Sequence, residues 1–163
     1  MKKGEPIQTV GLIGHLEQVA NTGIVRRVAK LIVDSGRKVF FDQAIADESS
    51  HDGIIFPDTA ELARVSDLLV VIGGDGTVLR AARETAGSNT PLLGVNAGRL
   101  GFLTSASVDD IEQAFDTLWS NQYIIDPLPL IQATGIFAGK KIKALALNDI
   151  LISRGANPRL IEM

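Results

Sequence analysis

The chain has 163 residues, about one ordinary domain, and 45% of them are hydrophobic. The 16 basic and 19 acidic residues give a net charge of −3, without the basic cluster that a nucleic-acid partner requires. Cysteine is absent, which excludes disulfides and thiolate metal sites. Since no signal peptide and no apolar run of ~20 residues is evident, we expect a cytoplasmic protein that binds neither nucleic acid nor membrane.

Strands and helices alternate along the first part of the sequence, a pattern typical of a parallel sheet. We therefore expect an α/β domain with a doubly wound, mostly parallel sheet over residues 1–125. Its first elements are a strand at 9–14, a helix capped by Asn21-Thr22 that runs through Asp34 and stops at Gly36, a strand at 38–41 and a mobile polar loop at 42–53. The later elements are a short helix after the capping box of Asp58 and Glu61, a strand at 68–72, a helix ending near Gly87, a strand at 91–96, and a helix capped by Ser107 with an apolar stripe from Ile111 to Trp119.

The strand at 68–72 leads into the most informative stretch of the chain, Gly73-Gly74-Asp75-Gly76-Thr77. Glycines allow the backbone to turn through positive φ and to bring bare N–H groups close to a ligand. We expect the next helix to begin at Val78, so that the turn lies at a helix N-terminus, where oxyanions bind. Asp75 would repel a phosphate unless it holds a metal or takes a proton. The structural alternative is a tight turn in which Asp75 caps the helix.

Two further motifs carry side chains whose surroundings suggest a ligand. In the glycine-rich stretch 94–103, Phe102 is either a packing anchor beneath the loop or a ring that packs against a base or a nicotinamide. In the run 144–152, the adjacent Asn148 and Asp149 interrupt an apolar segment. They are either a bulge or strand end that meets water, or the donors and acceptors that ribose hydroxyls or an adenine edge require. The residues alone leave both choices open.

The pattern changes after Tyr123. The segment Asp126-Pro127-Leu128-Pro129 predicts an extended linker, and residues 130–137 and 142–152 predict two strands joined by a hairpin turn. About 38 residues cannot bury a second core alone. We therefore interpret residues 126–163 as the incomplete first part of a β-rich C-terminal domain.

Taken together, three motifs in this order resemble those of the bacterial NAD kinases, and the resemblance covers nearly the whole chain. They are Gly73-Gly74-Asp75-Gly76-Thr77, the segment from Asn96 to Leu103, and Leu147-Asn148-Asp149. The first is shared with diacylglycerol, sphingosine and 6-phosphofructokinase enzymes, whereas the other two make the assignment more specific. The resemblance implies transfer of a phosphoryl group from ATP to the 2′-hydroxyl of the adenosine ribose of NAD, giving NADP. Mg²⁺ or another divalent cation would arrive with the ATP.

The same resemblance implies roles for individual residues, with no residue assigned to a metal. Asp75 would be the catalytic carboxylate that accepts the hydroxyl proton. The other nucleotide-binding positions would be Gly73, Gly74, Gly76 and Thr77 in the phosphate-binding turn, Phe102 lining the nucleotide pocket, Asn148 and Asp149 binding NAD, and Arg80 and Arg159 as basic residues near the dinucleotide.

Members of that family continue through a complete C-terminal domain, which completes the NAD site and mediates assembly into homodimers or homotetramers. Because most of such a domain is missing here, we expect the 163-residue chain alone to be inactive. Two alternatives remain. A lipid or sphingoid-base kinase shares the glycine turn, but the polar pair Asn148-Asp149 favours a ribose. The third possibility is a truncated, non-catalytic nucleotide-binding module.

Overall fold

A computed structural model describes residues 6–20, 23–48, 53–98 and 101–151 of the chain. The chain divides into two compact units, Met1–Pro127 and Leu128–Met163. None of the helices in the described ranges is long and apolar enough to cross a membrane.

The first unit is built on one six-stranded sheet in which every neighbouring pair of strands is parallel. Its order is β3-β2-β1-β4-β5-β6, so the chain first adds strands on one side of β1 and then returns to add the others on the opposite side. The expected doubly wound α/β fold is confirmed. The strands are β1 (Thr9–Gly14), β2 (Lys38–Asp42), β3 (Ile54–Phe56), β4 (Leu68–Gly73), β5 (Leu92–Asn96) and β6 (Ala106–Ser107). The α-helices are α1 (Leu16–Val19), α2 (Ile24–Asp34), α3 (Thr59–Val65), α4 (Asp75–Glu84) and α5 (Ile111–Trp119).

The central strand β4 is buried on both faces, which is why it reads as an unbroken apolar run. Leu68, Val70 and Ile72 point into one core, which α2 and α5 cover through residues such as Val28 and Phe115. The alternate residues Leu69 and Val71 point into a second core, which α3 and α4 cover. Helices therefore shield both faces of the sheet, and its ends are left for a ligand.

Several helix boundaries follow the sequence closely. Helix α2 ends at Asp34, and Gly36 adopts φ 78°, the left-handed conformation expected at its C-terminal stop. Asp58 caps α3, since its carboxylate accepts a hydrogen bond from the N–H of Ala60 at 2.7 Å. The proposed cap Asn21-Thr22 lies outside the described residues, and Gly23 directly precedes α2.

Two predictions about the connections were wrong. In the segment 42–53, predicted as a mobile loop, Gln43–Glu48 forms a 3₁₀ helix, because Ile45 is fully buried and anchors it, while residues 49–52 lie outside the described ranges. Ser107 does not cap α5, because it is the last residue of β6 and the helix begins at Ile111. The Ser107 hydroxyl instead accepts a hydrogen bond from the N–H of Asp110 at 3.2 Å and so closes the turn that leads into the helix.

Trp119 has the structural role that its position in the stripe predicts. Its ring stacks on Phe115 with centroids 5.0 Å apart. The guanidinium of Arg37 covers the indole at 3.8 Å from the ring centroid. This tryptophan therefore belongs to the core around α5.

Within its described residues, 128–151, the second unit forms an antiparallel hairpin of β7 (Ile131–Phe137) and β8 (Lys140–Ala146). The hairpin was expected, but its second strand was predicted to run to residue 152 and ends at Ala146. Asn148 and Asp149 therefore follow the strand and do not interrupt it, and both are exposed. The aliphatic residues Ile136 and Ile142 are also exposed.

Candidate active site

The glycine turn lies at the point where the strand order reverses, between β1 and β4. In parallel α/β sheets, ligands bind outside the carboxyl ends of the two strands whose connections leave in opposite directions. Here these strands are β1 and β4, which end at Gly14 and Gly73. The chain turns at Gly73, whose φ is 157°, and enters α4 at Asp75.

The glycine turn differs in detail from the expected one. Helix α4 begins at Asp75, three residues before the predicted start, because the N–H groups of Thr77 and Val78 both donate to the carbonyl of Gly74, at 2.9 and 3.2 Å. Positive φ is confined to Gly73, since Gly74 is extended at φ −101°. Among the described residues, a Cβ placed on Gly74 or Gly76 would meet no atom within 4 Å apart from its chain neighbours and its own helix backbone. Alanine would therefore fit at either position.

The carboxylate of Asp75 binds the loop that follows β5. Its Oδ2 accepts the backbone N–H of Phe102 and its Oδ1 accepts that of Leu103, each at 3.0 Å. The tight-turn alternative, in which Asp75 caps its own helix, is therefore wrong: α4 has no side-chain cap. Two of the three motifs are joined through this carboxylate.

The loop between β5 and β6 is itself held by side chains at both ends. Asn96 Oδ1 accepts the N–H of Gly98 at 2.6 Å, and its Nδ2 donates to the hydroxyl of Thr104 at 3.4 Å. The same hydroxyl accepts the N–H of Gly101 at 3.1 Å. Both Asn96 and Thr104 are buried, so these ties are shielded from water.

Phe102 projects from this loop with its side chain fully exposed, at 101% of the reference accessibility. The packing-anchor alternative for Phe102 is therefore wrong, because the ring does not tuck beneath the loop. Its neighbour Leu103 has that role and packs against the core between the sheet and α4. The backbone thus secures Phe102 while leaving its ring free to meet a ligand.

Arg80 lies on α4 and faces the end of β1, where its Nη2 donates to the carbonyl of Gly14 at 2.8 Å. The guanidinium also approaches Glu84 at 3.9 Å. Arg80 lines an open cleft of about 530 Å³, whose other lining residues are Asp42, Pro57, Asp58, Thr59 and Glu84. Three carboxylates against one guanidinium make this lining unsuited to a phosphate, so the glycine turn is the better anion site.

The remaining candidates fall into three groups. Thr77 is buried, and its N–H donates to the carbonyl of Gly74 at 2.9 Å. Asn148 and Asp149 belong to the second unit, whereas Asp75 belongs to the first. Arg159 lies outside the described residues. Among the residues that the structure describes, no three His, Cys, Asp or Glu side chains group as a metal site.

A family model for the ATP-NAD kinase N-terminal domain matches residues 10–123, which include both motifs joined by Asp75. The chain belongs to this family. It is 37% identical over 162 residues to an NAD kinase of Thiobacillus denitrificans, covering 97% of this chain and 55% of that protein. It is 34% identical over 160 residues to an NAD kinase of Desulforamulus reducens, covering 96% of this chain and 54% of that protein. The chain thus spans about half the length of the curated relatives it matches.

Solved structures share the fold of this ATP-NAD kinase family member. A crystal structure of yeast NADH kinase complexed with NADH aligns with a TM-score of 0.67 at 22% identity, over 94% of this chain and 50% of that one. An NAD kinase from Archaeoglobus fulgidus in complex with ATP aligns with a TM-score of 0.51 at 21% identity, over 77% of this chain and 40% of that one.

Sequence reasoning missed Thr104, whose hydroxyl links Asn96 to Gly101. The sequence contains little evidence for this role, because a single threonine after two apolar residues is also common in exposed turns. Only the return of the loop across β5 makes it a buried tie in this member of the ATP-NAD kinase family.

Proposed function

We propose that the protein containing this chain is an NAD kinase, which transfers a phosphoryl group from ATP to the 2′-hydroxyl of the adenosine ribose of NAD. The observation that carries the proposal is the position of Asp75. Its carboxylate lies just after β4, in the first turn of α4, at the point where the strand order of the sheet reverses. The curated relatives named as NAD kinases, at 37% and 34% identity, support the same reaction.

The turn would hold the phosphates of ATP through its backbone. Because neither Gly74 nor Gly76 carries a side chain, and a Cβ there would meet no described atom beyond its chain neighbours and its own helix, an oxyanion could approach the N-terminus of α4 at this place. The positive end of the helix dipole favours negative charge at the same place. Mg²⁺ is expected to enter with ATP as part of the substrate, where it offsets the repulsion between Asp75 and the phosphates.

Asp75 would direct the acceptor hydroxyl. As the ribose O2′ forms its bond to the γ-phosphorus, the hydroxyl proton passes to the carboxylate. The bond between that phosphorus and the β–γ bridging oxygen breaks, and ADP leaves. Phosphoryl transfer depends mainly on positioning and charge stabilisation, so the contribution required of the carboxylate is orientation together with proton acceptance.

The proposal assigns contacts with the dinucleotide to individual residues of the chain. Phe102 offers an exposed ring for a base or a nicotinamide, since a flat aromatic face favours stacking. The proposal assigns Asn148, Asp149 and Arg159 to NAD, and Arg80 to the neighbourhood of the dinucleotide. It also includes homodimers or homotetramers of the whole protein, and an inactive state for residues 1–163 alone.

The test is NADP formation from ATP and NAD by the protein expressed from its complete open reading frame. Asp75→Asn should lower turnover by ~10²–10⁴-fold, the usual loss when a general base is removed. Asp109→Asn, at an exposed carboxylate before α5, is the matched control and should leave turnover unchanged. Thermal melting of each variant separates lost chemistry from lost folding.

Two results would contradict the proposal, each at a different point. Near-normal turnover by a folded Asp75→Asn protein would leave the NAD kinase activity in place but remove the carboxylate from the reaction. The other is phosphorylation of diacylglycerol or sphingosine, with NAD left unchanged, which would assign the protein to the lipid kinases that share the glycine turn.

A further inference from the structure

We propose that Gly101 is a positioning residue. Because it has no side chain, the carboxylate of Asp75 can lie against its α-carbon in the orientation that the reaction requires. The inference rests on the proposed function, because it assigns Asp75 the phosphoryl-transfer role. A Cβ built on Gly101 would lie 2.2 Å from Asp75 Oδ1, 2.6 Å from its Cγ and 2.8 Å from its Oδ2. The carboxylate therefore rests directly against the α-carbon of Gly101, in space that any other residue would fill.

Two backbone groups hold the carboxylate against that surface. The N–H groups of Phe102 and Leu103 donate to different oxygens of Asp75, so the carboxylate is bound at both ends. This pairing fixes the rotation of the carboxylate plane, which a single hydrogen bond would leave free. We call Gly101, Phe102 and Leu103 the carboxylate clamp.

Further contacts hold both ends of the clamp in place. The N–H of Gly101 donates to the buried hydroxyl of Thr104. On the other side, Leu103 packs into the core beside α4. The loop also passes close to β5, since a Cβ on Gly94 would lie 2.8 Å from the carbonyl oxygen of Leu103. The loop therefore cannot withdraw from Asp75 without disturbing buried contacts.

The clamp leaves the carboxylate able to act. Each carboxylate oxygen has two lone pairs, and the two N–H groups use one on each oxygen. The remaining lone pairs can accept the hydrogen of a substrate hydroxyl. A reactive group displaced by ~1 Å can lose about 10²-fold in rate. Holding the carboxylate in one position therefore favours turnover, and it restricts residue 101 to glycine.

The first experiment compares Gly101→Ala with Gly135→Ala in the protein expressed from its complete open reading frame. Gly135 lies on β7, and a Cβ there would lie 3.6 Å from the side chain of Ile142, an ordinary contact. We expect Gly101→Ala to lower kcat by about 10²-fold with little change in the KM for ATP. Gly135→Ala should keep kcat within about twofold. A folded Gly101→Ala protein with normal kcat would overturn the positioning role, whether or not its KM for ATP rises.

A second measurement tests the contact without using activity. The three atoms nearest to a Cβ on Gly101 belong to the Asp75 carboxyl group, and Asp75→Ala removes them. Gly101→Ala should therefore lower Tm in the wild-type background and much less in the Asp75→Ala background. Equal losses in both backgrounds would show that Gly101 does not press on the carboxylate.

The two measurements keep the two ideas apart. If the wild-type protein forms no NADP while the Tm changes are coupled, the contact holds and the proposed function fails. If NADP forms normally but kcat is unaffected by Gly101→Ala, the proposed function holds and the positioning role fails.

Discussion

Arg80 donates a hydrogen bond from Nη2 to the carbonyl of Gly14 at 2.8 Å, and so ties helix α4 to the last residue of β1. These are the two elements that border the candidate site, since β1 and β4 are adjacent and α4 continues from β4. The side chain stabilises the geometry of the crevice as well as adding a positive charge to it. Its Nε is buried and has no hydrogen-bond partner within the part of the chain that the structure describes, which reduces the net benefit.

Arg80→Ala should lower the free energy of unfolding by about 1–2 kcal/mol, because the carbonyl of Gly14 loses a charged donor. Arg83→Ala is the matched control, since Arg83 lies on the same helix and is exposed. Urea denaturation of both variants measures the difference. An Arg80→Ala protein as stable as the control would show that the tie to β1 contributes nothing.

Gly76→Ala should separate stability from activity. Residue 76 is the second residue of α4 and has room for a methyl group, so alanine should stabilise the helix by ~0.5 kcal/mol. The same methyl would occupy the space proposed for a phosphate, and turnover should fall about tenfold or more. Tm and NADP formation are measured together. A rise in Tm with unchanged turnover would place the phosphates elsewhere.

Asn148→Ala and Asp149→Ala should each weaken NAD binding by ~1–3 kcal/mol, because ribose hydroxyls or an adenine edge would lose their partners. Gln132→Ala, an exposed amide on β7, is the control from the same unit. Calorimetric titration of NAD into each protein is the measurement. Affinities equal to that of the control would leave this pair as the solvated end of a strand.

Asp67 should make folding sensitive to acid. Burial alone would raise the pKa of Asp67, but hydrogen bonds from the backbone N–H of Gln8 and from the hydroxyl and N–H of Thr9 together hold this pKa below its ordinary value of 3.8. A lowered folded pKa means that the stabilisation is complete above the ordinary value and is lost as pH falls through the folded value.

Asp67→Ala should therefore be less stable than the wild type at pH 7, with the difference shrinking once the pH falls below 3.8. Asp109→Ala controls for the loss of one exposed acidic residue. Urea denaturation as a function of pH is the measurement. A constant difference at every pH would mean that the charge of Asp67 is not what stabilises the fold.

The sequence was sufficient to predict β4 and its glycine turn, because a short apolar run ended by glycine is a local signal. It was insufficient to identify the partner of Asp75. Phe102 and Leu103 are 27 and 28 residues away. They bind through backbone N–H groups, which every residue except proline has, so their residue types do not reveal the contact. The start of α4 was missed for a related reason, since glycine at residue 76 argues against helix and only the bonds to Gly74 favour it.

The parallel sheet also has a consequence for the order of folding. Leu12 pairs with Val70 and Val10 pairs with Val39, so the central strands meet only after long loops have closed. The hairpin of the second unit pairs Phe137 with Lys140 across a tight turn. Isolated hairpins form in about 1–10 μs, whereas sheets of distant strands fold far more slowly. The hairpin can therefore pair early, while the crevice around Asp75 is completed only when β1 and β4 have come together.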